Sequence, residues 1–489
     1  MILLLPTLVS IIFGMIFLCM KEPEDRKKLV GFGLIAMLIE AALCCYVIFG
    51  TGNFGLILFN LTSELQVYFA FDTLGRVFAV VSVLIWLMAG IFSLSYMKHE
   101  QHETRYYGYY FLVIGVLMAL CEAGNLVTYY AFFELLTLSS MPLVLHKQSH
   151  ESIMAGLKYM FYSFAGAYMV LFGLYAVYKN IGLLPFKAGG ILEGIELADG
   201  KNMMLIVVML MIVGFGVKAG MFPMHAWLPT AHPVAPGPAS AFLSAVIVKA
   251  GVLGIIRVVY YIFGAGFIKD TWVQYLWLTL TLITVFMGSM LAYRERVFKK
   301  RLAYSTVSQV SYILFGLAIL EPTAFTGSIL HVVGHAIIKC ILFLTAGAAM
   351  SKGGHIYVEE YVGIGKKMPV TIWCYTFAAL GLVGIPPTAG FVSKWYLAEG
   401  ALSSGTKIFA YLGPVVLLIS ALLTAGYLLP ITMKGFYPGK DYVDDGKGTE
   451  EVDLFMLIPL IILAVLTMVV GMMPGVLTNM FDAIAINLF

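Results

Sequence analysis

About fourteen times along its length, this chain presents a run of roughly twenty apolar residues, the length an α-helix needs to cross the hydrocarbon core of a bilayer. The runs fall near 1–20, 29–50, 72–97, 107–121, 124–146, 153–178, 203–222, 238–264, 271–293, 300–320, 322–350, 368–403, 408–433 and 453–477. In lipid every backbone amide and carbonyl must be satisfied within the segment or by protein, so runs of this kind fold as a bundle of transmembrane helices. With 61% of 489 residues hydrophobic and 12% charged, the chain has too little polar surface for a water-facing fold. The first run does not read as a cleaved leader: it has no basic segment, no small-x-small site precedes Lys21, and another apolar run follows at once.

Loop charge sets the orientation. KEPEDRKK (21–28), KHEQHETR (98–105), HKQSH (146–150), YRERVFKKR (293–301), 351–367 and the loop from Lys434 to Asp453 alternate with loops whose only cations are Lys179, Lys187, Lys201, Lys269 and Lys407. The positive-inside rule then puts both termini outside and makes the number of spans even.

Proline and glycine crowd two places at membrane depth, GMFPMHAWLPTAHPVAPGP (220–238) and GLVGIPPTAGF (381–391). A helix broken in lipid survives only where protein or water covers the freed backbone, so such breaks mark ion or substrate sites. The breaks lie five spans apart, and an odd separation reverses helix direction. The expected organisation is therefore helices 1–3 (1–106), a first five-helix unit (107–264), a second unit inverted relative to it (265–434) and a last helix (435–489), as in transporters built from inverted repeats.

Seven cations fall inside the spans by this reading: Arg76, Lys158, Lys218, Lys249, Arg257, Lys339 and Lys394. Each costs ~2.5–3.5 kcal/mol at a helix centre and so needs a partner, water or a function. Lys218 directly precedes the first break and Lys394 directly follows the second. A desolvated lysine beside exposed backbone dipoles can trade protons, although a lysine paired only for structure would look the same in sequence. His331, His335 and Lys339 recur at i, i+4 and i+8 and share a helix face, as a proton relay requires. The same spacing suits a structural polar face; a metal site is disfavoured because no acid is near and Lys339 would repel the ion. Glu134 is flanked by apolar residues on both sides, so its expected partner is a lysine of a neighbouring helix, Lys218 first among them. Glu40 has the same local character but lies outside the repeats.

Six cysteines without C-x-x-C spacing exclude an iron–sulfur or zinc site within the chain, and a net charge of +3 scattered over loops gives no basis for nucleic-acid binding. The chain is expected to hold no cofactor and no metal, so any redox chemistry belongs to another subunit.

The stretches FFELLTLSSMPLV, GFGVKAGMFPMHAWLPTAHPVAPGPASAFLSAVIVKAGVLGIIR, KKRLAYSTVSQVSYILFG, HVVGHAIIKCILFLTAGA and GLVGIPPTAGFVSKWYL carry a resemblance over roughly residues 70–430. Together they resemble the antiporter-like subunits of respiratory complex I, of membrane-bound hydrogenases and formate hydrogenlyases, and of Mrp-type Na⁺/H⁺ antiporters. The resemblance implies an all-α fold of about fourteen transmembrane helices, with two inverted five-helix repeats that each hold a discontinuous helix. It implies Glu134 and Lys218 as the ion pair of a first half-channel, Lys249 as the central connector, His331, His335 and Lys339 as the polar helix of the axis, and Lys394 as the terminal lysine. Asp72 and Arg76 match a polar start to the third span. A lysine at 394 together with HVVGHAIIK looks more like the Mrp and hydrogenase branches, and the end of the chain soon after the last span leaves no room for the long lateral helix of the distal complex I subunit.

The resulting expectation is a proton- or Na⁺/H⁺-translocating subunit of a multisubunit complex in the cytoplasmic membrane of a prokaryote. Its partners would be other antiporter-like and small membrane subunits, with a peripheral iron–sulfur arm where electron transfer drives it. The rivals are an Mrp-type antiporter subunit without redox coupling, a purely structural membrane scaffold, and a self-sufficient carrier for an organic solute.

Overall fold

A computed structural model describes residues 2–489 apart from 53, 61, 63–64, 183, 193–199, 440–441 and 443–447. Lys440 and Lys447 of the loop after Lys434 are thus outside the described residues. The fold is all-α and polytopic, with 13 helices among the described residues long and apolar enough to cross a membrane: Ile2–Cys19, Arg26–Gly50, Thr73–His99, Glu103–Cys121, Leu126–Val144, His150–Ile181, Gly200–Ala219, Gly237–Phe263, Trp272–Arg294, Phe298–Ile319, Pro322–Gly353, Phe409–Phe436 and Leu454–Met472. Between the eleventh of these and the final pair lies a further crossing built from two short pieces, Pro369–Val383 and Ala389–Ser403. Counting it as the twelfth gives the fourteen spans expected from the sequence, with ends shifted by a few residues.

Helix ends follow local chemistry. Span 5 starts at Asn125, whose side chain accepts from the Thr128 amide, and span 11 starts at Glu321, whose carboxylate accepts from Ala324, with proline at the first helical position. Span 11 closes on Gly354 in the left-handed region that caps many helices.

Interloop bonds separate the two faces of the bundle. On one face Arg26 pairs with Glu103, Arg105 donates to the His146 carbonyl, Lys147 pairs with Glu100, Val358 donates to Arg296, and Ser95 bonds Asp453. On the other, Ala70 donates to Glu122, Ile191 to Ile262, and Thr326 to Asp482, while Phe489 stacks edge-on against Tyr260. The basic loops therefore share one face and the C-terminus lies on the opposite one, which is the alternation that loop charge implied.

Two elements were not expected. A two-stranded antiparallel hairpin, Gly55–Asn60 with Gln66–Ala70, sits between spans 2 and 3, anchored where Asn125 and Thr128 bond the backbone of Gln66 and Tyr68. A short helix, Gly475–Ile486, follows span 14 and packs on span 11.

Spans 8 and 11 are wholly buried at the centre, while spans 6, 13 and 14 turn large apolar side chains such as Phe161, Leu418 and Val465 outward. Outward apolar side chains suit lipid or neighbouring subunits; the buried pair carries the central charges.

Candidate functional site

The two breaks satisfy their freed backbone groups differently. At the first, Gly200–Ala219 ends at Gly220 in the left-handed region, the indole of Trp227 donates to the Val217 carbonyl, and the Phe222 amide donates to Thr284 before the half-helix Leu228–Val234 begins. At the second, Gly384 adopts φ 92°, a conformation open to glycine at little cost, and the Gly384 and Ile385 amides both return to the Leu380 carbonyl. The carbonyls of Leu382 and Val383 are then left over, and the Lys394 ammonium covers both, at 2.6 and 2.8 Å. Lys394 is thus held by the negative end of a half-helix rather than by a carboxylate.

Span 8 carries Lys249 between two π-helical stretches, Leu243–Ile247 and Arg257–Phe263. Wide turns of this kind displace carbonyls from the helical ladder. That of Ser244 accepts from the Lys249 ammonium at 2.9 Å. The same ammonium lies 2.8 Å from Nδ1 of His335. His335 stacks on His331 with ring centres 5.9 Å apart, and Nδ1 of His331 is hydrogen-bonded to the Ser393 hydroxyl at 2.9 Å. Ser393 adjoins Lys394 in sequence, and the ring of Tyr312 links His331 to Lys394 in space: it stacks on His331 at 5.5 Å and stands 5.1 Å from the Lys394 ammonium. Lys249, His335, His331 and Lys394 therefore form one line across spans 8, 11 and 12, buried except at its half-buried end, Lys394.

Lys339 is on the same helix as the histidines but turns towards span 10, where it donates to the Leu302 carbonyl at 2.9 Å and to the Ser305 hydroxyl. The neighbouring Thr306 is bonded to the Ser244 hydroxyl at 2.7 Å, which brings this branch back to the Lys249 turn.

Glu134 and Lys218 are near one another but not in contact. No ion pair joins them among the described residues; the Lys218 ammonium instead donates to Thr137 at 2.5 Å and lies over the rings of Phe133 and Tyr159. Glu134 is half-buried and its Oε1 has no hydrogen-bond partner among the described residues. The pair expected from the sequence is thus open in this structure, and the reason is local: Thr137 is one turn along span 5 from Glu134 and offers the ammonium a nearer acceptor. Span 7 packs on span 8 at Gly251, where a Cβ would stand 2.8 Å from the Ala219 amide and 3.2 Å from the Lys218 Cβ. Lys218 consequently adjoins the Lys249 helix by packing rather than by a hydrogen bond.

Four further charges have assignments that sequence reasoning did not give. Arg257 forms a two-pronged pair with Asp72, at 2.5 and 2.7 Å, across 185 residues of chain. Arg76 holds the backbone between spans 2 and 3, donating to the carbonyls of Ile48, Thr51 and Gly52. Glu40 faces neither lipid nor solvent but is buried, 3.5 Å from the Cys44 sulfur. Lys299, which the sequence placed in a loop, is buried in the first turn of span 10.

Asp72→Ala is expected to destabilise the protein by about 3 kcal/mol, the low end of the range for stranding a buried charge because Asp72 itself is partly exposed. Thermal unfolding in detergent should show it as a lower Tm. Asp72→Glu, which can reach Arg257 again, should recover most of the loss.

The chain matches two family descriptions: "NADH:quinone oxidoreductase/Mrp antiporter, TM" over residues 123–437 and "NADH-Ubiquinone oxidoreductase (complex I), chain 5 N-terminus" over residues 60–107. It is 32% identical over 414 residues to an NADH-quinone oxidoreductase subunit N of Desulforudis audaxviator, covering 82% of this chain and 81% of that one. It is 26% identical over 475 residues to an Na(+)/H(+) antiporter subunit of Alkalihalophilus pseudofirmus, covering 96% and 93%. In three dimensions it is similar to a chain of the Mrp complex from Dietzia sp. DQ12-45-1b, with a TM-score of 0.84 at 20% identity over 99% of this chain and 97% of that one, a likeness of fold. The broken helices, the buried lysine–histidine line and the match over most of its length place the chain in the family of antiporter-like membrane subunits that complex I, membrane-bound hydrogenases and Mrp antiporters share.

Proposed function

We propose that this chain is a cation-translocating, antiporter-like subunit of a multisubunit membrane complex, and that protons move along Lys249, His335, His331 and Lys394. The observation that carries the reading is the arrangement of that line, in which a 2.8 Å lysine–histidine contact, a histidine stack with both Nε2 atoms unpartnered among the described residues and a 2.9 Å histidine–serine bond lead from the centre of the bundle to the second break. A histidine passes a proton by accepting on one ring nitrogen and releasing from the other, and a buried lysine can serve as a temporary proton holder. Glu134 and Lys218 act at the other end as an electrostatic switch, closed when the ammonium leaves Thr137 for the carboxylate. Residues 107–264 and 265–434 are the two inverted units that present one break each. The setting is a prokaryotic cytoplasmic membrane with both termini outside, and the partners are further antiporter-like and small membrane subunits, with an iron–sulfur arm in a redox-driven complex.

The test is transport by the purified complex in liposomes, followed with a pH-sensitive dye. Lys249→Met should leave the complex assembled and cut ion movement at least about tenfold, a barrier rise of about 1.4 kcal/mol; a wild-type rate would remove the axis from the mechanism. The kinship with an Mrp-type antiporter over nearly its whole length favours a second reading, exchange of Na⁺ for H⁺ without redox coupling. Proton movement driven by a Na⁺ gradient alone, in the absence of any electron donor, would select it.

A further inference from the structure

Between Lys339 and the face that carries the basic loops lies a cavity of about 270 Å³, lined in part by Lys147, Glu151, Pro233, Lys299 and His355. Lys299 is 3% exposed and donates at 2.9 Å to the carbonyl of Ala235, the residue that closes the half-helix Leu228–Val234. That half-helix carries His232, which is fully buried and has no hydrogen-bond partner for either ring nitrogen among the described residues. An imidazole buried in this way is costly as packing alone, because two polar atoms have been taken from water without replacement. The His232 ring stacks on Phe343 at 4.8 Å, and the Lys339 ammonium stands 6.0 Å from the centre of the same ring. Cavity, Lys299, His232 and Lys339 thus follow one another inward from the basic face.

We propose that this cavity, Lys299 and His232 form the proton uptake route from the basic-loop face to Lys339, and through Ser305, Thr306 and Ser244 to the axis. The inference rests on the reading of the chain as an ion-translocating subunit. A proton from bulk water at the cavity is taken by the Lys299 amine and released towards His232, which accepts on one ring nitrogen and gives up a proton from the other. One proton leaves near Lys394 for each taken in, so no group changes its protonation over a cycle. The charges around Lys299 are Lys147, which is paired with Glu100 at 3.5 Å, and the cavity's Glu151 and His355; those around His232 are Lys339 and Lys299.

Lys299→Arg keeps the positive charge and the hydrogen bond to Ala235 but does not release its proton. In the intact complex it is expected to slow transport at least tenfold with normal assembly, and one unit of acidification on the basic-loop face should then raise the variant's rate several-fold, because uptake has become limiting. His232→Gln should behave the same way. An independent arm labels Lys299→Cys complexes in oriented vesicles with a membrane-impermeant thiol reagent, and modification is expected only from the basic-loop face. Wild-type transport by Lys299→Arg, slow transport in both variants that acid on that face does not restore, or absence of labelling from that face would each overturn the route. If the wild-type complex moves no ions, the functional reading fails, while the labelling still decides whether the cavity opens where the route requires.

Discussion

Complexes carrying Lys394→Arg are expected to assemble at wild-type levels and to lose ion translocation about a hundredfold, a barrier rise of about 2.7 kcal/mol. The substitution separates two roles that coincide in one ammonium. As a structural group, Lys394 closes the end of Pro369–Val383 by donating to the Leu382 and Val383 carbonyls. A guanidinium offers five donors in a planar fork and can meet both acceptors, and the adjoining cavity of about 470 Å³, walled by Phe391, Trp395 and Leu418, leaves room for the longer side chain. As a proton carrier, arginine fails because it stays charged at any relevant pH. Lys394→Ala confounds the two, since it also strands two carbonyls at a cost of about 1–3 kcal/mol each wherever water from the cavity does not reach them. Proton uptake into liposomes, normalised to complex counted on native gels, is the measurement. A fully active arginine variant would reduce Lys394 to a helix cap.

The contrast between Lys394 and Lys299 shows what lipid makes readable in a sequence. Spans, breaks and interior cations were legible because each is an expense that a bilayer imposes and that composition records directly: twenty apolar residues, prolines in mid-run, a lysine among leucines. Span ends carry no such mark. KKRLAY reads equally well as a loop or as the first turn of span 10, so the sequence alone leaves Lys299 at the water-facing end although the structure buries it. Partners were harder still. The Asp72–Arg257 pair joins residues 185 apart, and Thr137, which holds Lys218, is one of several hydroxyls in a span where serine and threonine usually bond their own backbone. The strands Gly55–Asn60 and Gln66–Ala70, at six and five residues, are too short to stand out in sequence beside two flanking spans. The axis itself was half visible: i, i+4 spacing put both histidines on one face, but only the fold shows that Lys249 meets His335 and that Lys339 turns away towards Ser305.

That Lys218 rests on Thr137 rather than on Glu134 sharpens the expected behaviour of the switch. Glu134→Gln should cut transport at least about tenfold, a change of about 1.4 kcal/mol in barrier, because it removes the charge towards which the ammonium would move. Folding should hardly change. Removing one member of a contact pair can cost ~3–5 kcal/mol, but here the ammonium keeps its 2.5 Å bond to Thr137 and its place over Phe133 and Tyr159 whether or not position 134 is charged. Glutamine also preserves the shape of the side chain. Lys218→Met should disable the same element from the other side, so the double variant Glu134→Gln/Lys218→Met should transport no worse than the slower single variant. Losses that multiply would mean that the two residues act in separate steps. Thr137→Val adds the directional test: without the hydroxyl the ammonium loses its bond to span 5, and the carboxylate of Glu134, the charged acceptor on that span, should draw it in, so the switch should lock closed. Transport should fall while Tm holds or rises, as the hydrogen bond lost to Thr137 is exchanged for a charge-assisted one to the carboxylate. A Thr137→Val complex that transports at the wild-type rate would show that movement of Lys218 between these two acceptors is no part of the cycle.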